Sequence, residues 1–165
     1  MNDKTLHVLS TLDRQILNRL QQDASITNQA LAELLQVSAA TCLRRVRHLE
    51  ALGILERRVA LVQPQRLAEL MGEGLTVLVE VTLDKQGSEW LSLFEATATR
   101  LPQVQQCYRV SPGPDFVLVL HVWQMSDYHA LANQLLSEHQ NVRNLKAFFC
   151  THRAKFEPAV VLPLV

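Results

Sequence analysis

Ser38-Ala-Ala-Thr-Cys-Leu-Arg-Arg-Val-Arg-His-Leu-Glu-Ala-Leu-Gly53 is the stretch on which the reading of this chain turns. Ser38 can accept hydrogen bonds from the first free N–H groups of a helix, and Gly53 can take the left-handed conformation that stops one. Between them Leu43, Val46 and Leu49 recur at helical spacing, which predicts a buried side. Arg44, Arg45, Arg47 and His48 spread over the rest. Two shorter helical patterns precede this one. Thr11 is placed to cap the first, with Leu12, Ile16, Leu17 and Leu20 on one face and Asp13 in the first turn, where the helix dipole favours an acid. Thr27 or Asn28 is placed to cap the second, which carries Leu31, Leu34 and Leu35. Three short helices, the last arginine-rich and with small residues at its start, form the pattern of a helix-turn-helix that reads double-stranded DNA in the major groove. The residues expected at DNA are Ser38, Ala39, Thr41, Arg44, Arg45, Arg47 and His48. A merely solvated basic helix face is the plainer alternative.

Working outward, Ile54–Val62 is β-favouring and suits a small wing or an exit strand. Pro64, Gly72 and Gly74 mark residues 63–74 as a linker, after a first domain of residues 1–62. Beyond it the period changes to two. Leu75, Val77, Val79, Val81 and Leu83 alternate with Thr76, Leu78, Glu80 and Thr82, which predicts a strand. A helix capped by Ser88 follows, with Leu91, Phe94, Ala98 and Leu101 on one side. Strands are expected over Val104–Ser111 and Phe116–Trp123, separated by the turn Pro112-Gly-Pro-Asp115. A helix capped by Ser126 buries Tyr128, Leu131, Ala132 and Leu135, and Leu145–His152 is a last strand before an irregular tail. Residues 75–165 thus run β-α-β-β-α-β, the ferredoxin-like order, and the whole chain is of the α+β class. Helices cover one face of such a sheet. The other face must carry either Leu75, Val77 and Val79 or Leu78 with the alternates that include Val117, Val119 and Trp123, and an apolar face left open implies that it packs on a second copy in a homodimer.

Composition bounds the possibilities. A chain of 165 residues with 48% apolar residues can bury a core. No apolar run is long enough for a membrane span, and Met1–His7 has no apolar signal-peptide core, so a cytoplasmic location is expected. Cys42, Cys107 and Cys150 read as free thiols: scattered, odd in number and without metal-ligand spacing. Net charge is zero, but residues 1–66 hold nine Lys/Arg against six Asp/Glu and the remainder seven against ten. The excess of positive charge therefore sits on the DNA-reading side. No Ser-His-Asp set, phosphate loop or metal motif is present, so no catalytic residue, metal or cofactor is expected. His121 and His152 are candidates to face a pocket, or are ordinary surface histidines. Trp90 and Trp123 read as a helix-surface and an interface aromatic.

Three stretches resemble the leucine-responsive regulatory protein / asparagine regulator (Lrp/AsnC) family. They are Leu12–Asp23, Val37–Ile54 with its Cys-Leu-Arg-Arg-Val-Arg core, and the strand segments Val77–Val81 and Cys107–Ser111. The resemblance implies a transcriptional regulator that binds DNA through the first domain. It also implies dimers or octamers formed through the second domain, and sensing of an amino acid or related small molecule there. By that resemblance Gly113, Asp115 and Ala147 stand at the effector site. The family's usual Gly-Asp-Tyr/Phe-Asp turn is here Pro112-Gly113-Pro114-Asp115, and Ala147 stands where a threonine is common. Proline removes a backbone donor from that turn. Asp115 has a plainer reading as a turn residue. Siroheme decarboxylases, which are enzymes, share a similar architecture and are the alternative. They carry a longer insertion between the first two helices than Gln22–Ser25 provides.

Overall fold

Alternation of apolar residues in one half of the chain and helical spacing in the other produce two separate cores. The computed structural model describes residues 9–72, 74–138 and 141–163. Met1–His7, read above for signal-peptide character, and Glu73 of the expected linker lie outside the described residues. Two compact units form: residues up to Leu61 together with the segment from Lys155, and Val62–Ala154.

The first unit holds α1 (Thr11–Gln22), α2 (Asn28–Leu34) and α3 (Ala39–Ala51). Its core is Ile16, Leu17, Leu20, Leu31, Ala32, Cys42, Val46 and Leu49. The cap of α1 is Ser10, one residue before the Thr11 expected. Ser10 Oγ accepts the Asp13 N–H, and the Asp13 carboxylate accepts the Ser10 N–H, closing a reciprocal capping box. Thr27 caps α2 and Ser38 caps α3. The buried side of α3 is Cys42, Val46 and Leu49, and Leu43 is instead 39% exposed. The phase is set by Cys42, a small apolar residue that the core takes in readily.

Helix α3 ends in a full Schellman motif. Gly53 has φ +69°, its N–H donates to Glu50 C=O at 2.9 Å, and the Ile54 N–H donates to Leu49 C=O at 3.0 Å. A Cβ at Gly53 would meet no atom within 4 Å, so only backbone strain opposes one. Gly53→Ala is therefore expected to destabilise the first unit by about 1 kcal/mol, read as a lowered thermal midpoint with an unchanged second unit. Residues 54–62 leave α3 as irregular chain, in place of the strand expected there.

In the second unit α4 (Pro64–Met71) occupies most of the segment read as a linker, with Pro64 at its start, where a missing N–H costs nothing. Next come β1 (Leu75–Leu83), α5 (Ser88–Ala98), β2 (Val104–Arg109), β3 (Phe116–Val122), α6 (Met125–Glu138) and β4 (Val142–Phe149). The sheet order is β2-β3-β1-β4 and every pairing is antiparallel. This is the ferredoxin-like arrangement expected. Gly87 rather than Ser88 caps α5. Ser126 is not the cap of α6; the Asp127 carboxylate accepts the Gln124 N–H at the start of that helix. Strand β4 begins three residues before the expected Leu145, because Val142 pairs with Leu83 across a register shift.

Val77, Val79, Val81 and Leu83 of β1 pack with Phe116, Leu118, Leu120 and Val122 of β3 under Phe94, Ala98, Leu131 and Leu135. Phe94 and Phe116 lie with ring centroids 4.7 Å apart. The opposite sheet face carries Leu78 between Val119 and Phe148, and Tyr108 beside Val117. Leu78, Tyr108 and Phe148 are each exposed there.

Candidate nucleic-acid interface and effector region

Position on α3 sorts the residues named from sequence. Cys42, Val46 and Leu49 face the core, so Ala40, Arg44, Arg47 and Ala51 point the other way. All four are exposed. Among the described residues, neither Arg44 nor Arg47 is held by an ion pair or hydrogen bond, which leaves both guanidiniums available. His48 is exposed at the edge of the same surface. Leu43 and Ala40 belong to this surface too, and the sequence reading missed both. Helical phase reckoned from Cys42 instead of Leu43 would have found them.

At the amino end of α3, Ser38 Oγ accepts the Thr41 N–H at 3.2 Å and donates to Thr41 Oγ1 at 2.9 Å. The two hydroxyls form one capped turn that encloses the small residues Ala39 and Ala40. Asn28 Nδ2, at the first position of α2, donates to Ala39 C=O at 2.9 Å and so fixes the start of α3 against α2.

Arg45 is engaged inside the unit. Its Nη2 donates to Asp13 Oδ2 at 2.7 Å and to Ser10 Oγ at 2.8 Å, with the side chain 30% exposed. It thus joins α3 to the cap of α1. A buried carboxylate without a cation would be strongly penalised, and Arg45 is the cation that Asp13 has. Burial alone would raise the Asp13 carboxyl pKa. Hydrogen bonds from the Ser10 hydroxyl and N–H, together with the Arg45 guanidinium, outweigh it and hold that pKa below the ordinary value. Arg45 accordingly ties α3 to the start of α1, whereas Arg44 and Arg47 hold no such partner among the described residues.

Of the three residues that the resemblance assigns to an effector, Gly113 and Asp115 share one turn and Ala147 lies on a strand. Asp115 Oδ2 accepts the Leu83 N–H at 2.7 Å, and the Asp115 N–H donates to Val81 C=O at 2.9 Å, which ties the turn to the end of β1. Gly113 sits in the same turn at φ +125°. Ala147 lies on β4 opposite Val79 and packs on the helix-covered side of the sheet. His121 and His152, by contrast, share a groove of about 410 Å3 with Thr76 and Cys150. Burial raises the Cys107 thiol pKa, which keeps that thiol protonated. Among the described residues, no cluster of three or more His, Cys, Asp or Glu is placed to hold a metal ion, and no helix is long and apolar enough to cross a membrane.

Comparison with known proteins agrees with this geometry. The Lrp/AsnC ligand-binding domain model matches residues 76–160, and a winged helix-turn-helix DNA-binding model matches residues 9–56. The chain is 38% identical over 157 residues to an HTH-type transcriptional regulator of Haemophilus influenzae, covering 95% of this chain and 91% of that one. It is 34% identical over 155 residues to the glutamate uptake regulatory protein of Zymomonas mobilis, covering 94% and 92%. A transcriptional regulator from Neisseria meningitidis, solved in complex with L-Met, superposes with a TM-score of 0.80 at 26% identity, covering 95% and 97%. These matches span both units, and they favour the regulator over the decarboxylase-like alternative. The chain belongs to the Lrp/AsnC family of transcriptional regulators.

Proposed function

We propose that this protein binds specific double-stranded DNA sequences as a transcriptional regulator in the cytoplasm, and that an amino acid or related small molecule modulates it. The observation that carries the reading is the outward stripe of α3. There Arg44 and Arg47 lie unpaired among the described residues, beside a capped, small-residue amino end that can approach base edges closely. Ser38, Ala39 and Thr41, joined by Ala40, enter the major groove. Arg44, Arg47 and His48 reach phosphates or guanine edges. Arg45 supports the assembly from behind through Asp13. The effector class rests on the ligand-binding domain match and on the L-Met bound to the Neisseria meningitidis relative. Within this chain the turn Gly113–Asp115 and Ala147 are the positions through which that modulation is assigned.

The test is a mobility-shift titration on DNA from upstream of the protein's own gene, at two salt concentrations, with and without pooled amino acids. Specific, salt-sensitive binding that the pool alters is the expected result. Binding with no sequence preference at low salt would overturn the regulator reading.

The proposed assembly is a homodimer through the open sheet face, with octamers as the larger state. Val119 stands at its centre, paired with Leu78 on one side and Gln106 on the other. Val119→Lys places a charge in that apolar patch, where it would lose its hydration on association. Sedimentation is expected to show the variant as a monomer where the wild type is a dimer or larger. An unchanged sedimentation coefficient would remove this face as the interface.

A further inference from the structure

One line of residues on α1 is used by neither the core nor the proposed DNA surface. Arg14, Asn18 and Gln21, spaced i, i+4 and i+7, form a stripe that flanks the buried Ile16, Leu17 and Leu20. All three bond to the main chain of the segment Val160–Pro163. Arg14 Nη1 donates to Pro163 C=O at 3.1 Å and Asn18 Nδ2 to Leu162 C=O at 3.2 Å. Gln21 Nε2 donates to Val160 C=O at 3.0 Å, and Gln21 Oε1 accepts the Val160 N–H at 2.7 Å. The Gln21 amide thus meets both polar groups of one residue, as a neighbouring strand would.

These contacts read backbone, not side chains: Val160 is 65% and Val161 91% exposed. Leu162 turns inward, partly buried against the helix core, and Ala159 is half-buried. An open groove of about 570 Å3 remains beside α1 and Leu34–Gln36, next to Ala159–Val161. Detachment therefore exposes little apolar surface, and exposed hydrogen bonds open at low cost.

We propose that the Arg14/Asn18/Gln21 face of α1 is a docking surface for an extended peptide, occupied here by the chain's own segment Pro158–Pro163, which acts as a releasable strap on the DNA-reading unit. The strap holds α1 on one flank, while the Asp13–Arg45 pair ties α1 to α3. Because the strap continues from Ala154 of the second unit, the chain enters the reading unit twice. Changes in the second unit thereby reach α1 along the backbone.

Amide hydrogen exchange on the full chain tests this, with Gln21→Met as the strap variant. Gln22→Met, on the same exposed helix end, is the control. In the wild type the Val160 amide exchanges more slowly than an unstructured peptide. Gln21→Met is expected to speed it about tenfold and to raise the dissociation constant for specific DNA about three- to tenfold, while Gln22→Met changes neither. A Val160 amide that exchanges at the free-peptide rate in the wild type overturns the docking. Faster exchange in Gln21→Met with unchanged DNA affinity overturns the strap's hold on the reading unit. A wild type that binds no specific DNA counts against the proposed function instead, and the exchange rates then decide docking on their own.

Discussion

Replacing Arg44 and Arg47 together with alanine is expected to weaken specific DNA binding roughly a hundredfold and to flatten its salt dependence. Each arginine that neutralises a phosphate displaces condensed counterions. The slope of log K against log salt should therefore fall by about 0.9 for each phosphate left without its arginine, and by close to twice that if both reach phosphates. If one of them reads a guanine instead, the slope falls by one such step only, and discrimination at one base pair drops by about 1–3 kcal/mol. Both residues are exposed and, among the described residues, unpaired. Their removal therefore leaves no buried charge, and the thermal midpoint should stay within a degree or two. Arg45→Ala gives the opposite signature: a lowered midpoint, because Asp13 is left without its partner, with a salt slope close to that of the wild type. Equal slopes in the wild type and the Arg44/Arg47 double variant would remove α3 as the reading helix. A flattened slope in Arg45→Ala would restore that residue to the DNA face.

The fold was legible because periodicity reports burial, and both cores are strongly periodic. Val77, Val79 and Val81 alternate, and Ile16, Leu17 and Leu20 cluster on one side of a helix. What sequence misplaced was decided by tertiary contact. Leu43 and Cys42 are both apolar neighbours on α3, and packing takes Cys42 inside while leaving Leu43 39% exposed. Arg45 looks like its neighbours until Asp13, far away in the chain, is brought within 2.7 Å. Pro64 and Gly72 signal a break, yet they bracket α4, since proline starts a helix as readily as it ends one. The irregular tail was legible as irregular. Its grip by Gln21 was not, because a contact to backbone leaves no pattern in the side chains of the segment held. The effector residues came from resemblance alone, and in this chain Asp115 is engaged with Leu83.

Asp13→Ala is the substitution expected to cost the first unit most. The Asp13 side chain is 4% exposed and does two jobs. It completes the capping box with Ser10, a role whose removal usually costs about 0.5–2 kcal/mol. It also accepts Arg45. Breaking one side of a buried pair costs about 3–5 kcal/mol, but Arg45 keeps access to water and recovers part of that. A net destabilisation of roughly 2–3 kcal/mol follows, a fall of about 10–20 °C in the midpoint of a unit this small. Calorimetry on the full chain should show it in one transition only, since no residue of the second unit takes part. The pH dependence supplies the sign. The folded Asp13 pKa lies below its unfolded value, near 3.9. Its contribution is therefore present above about pH 4 and disappears as pH falls through the folded pKa. The wild type should lose its advantage over Asp13→Ala in that acid window and nowhere else. A second substitution separates charge from cap. Arg45→Met in the Asp13→Ala background removes the unpaired guanidinium and should return part of the missing stability, because an apolar pair is less costly than half an ion pair. If the double variant is no more stable than Asp13→Ala, the destabilisation came from the cap, and Arg45 holds α3 through Ser10 alone.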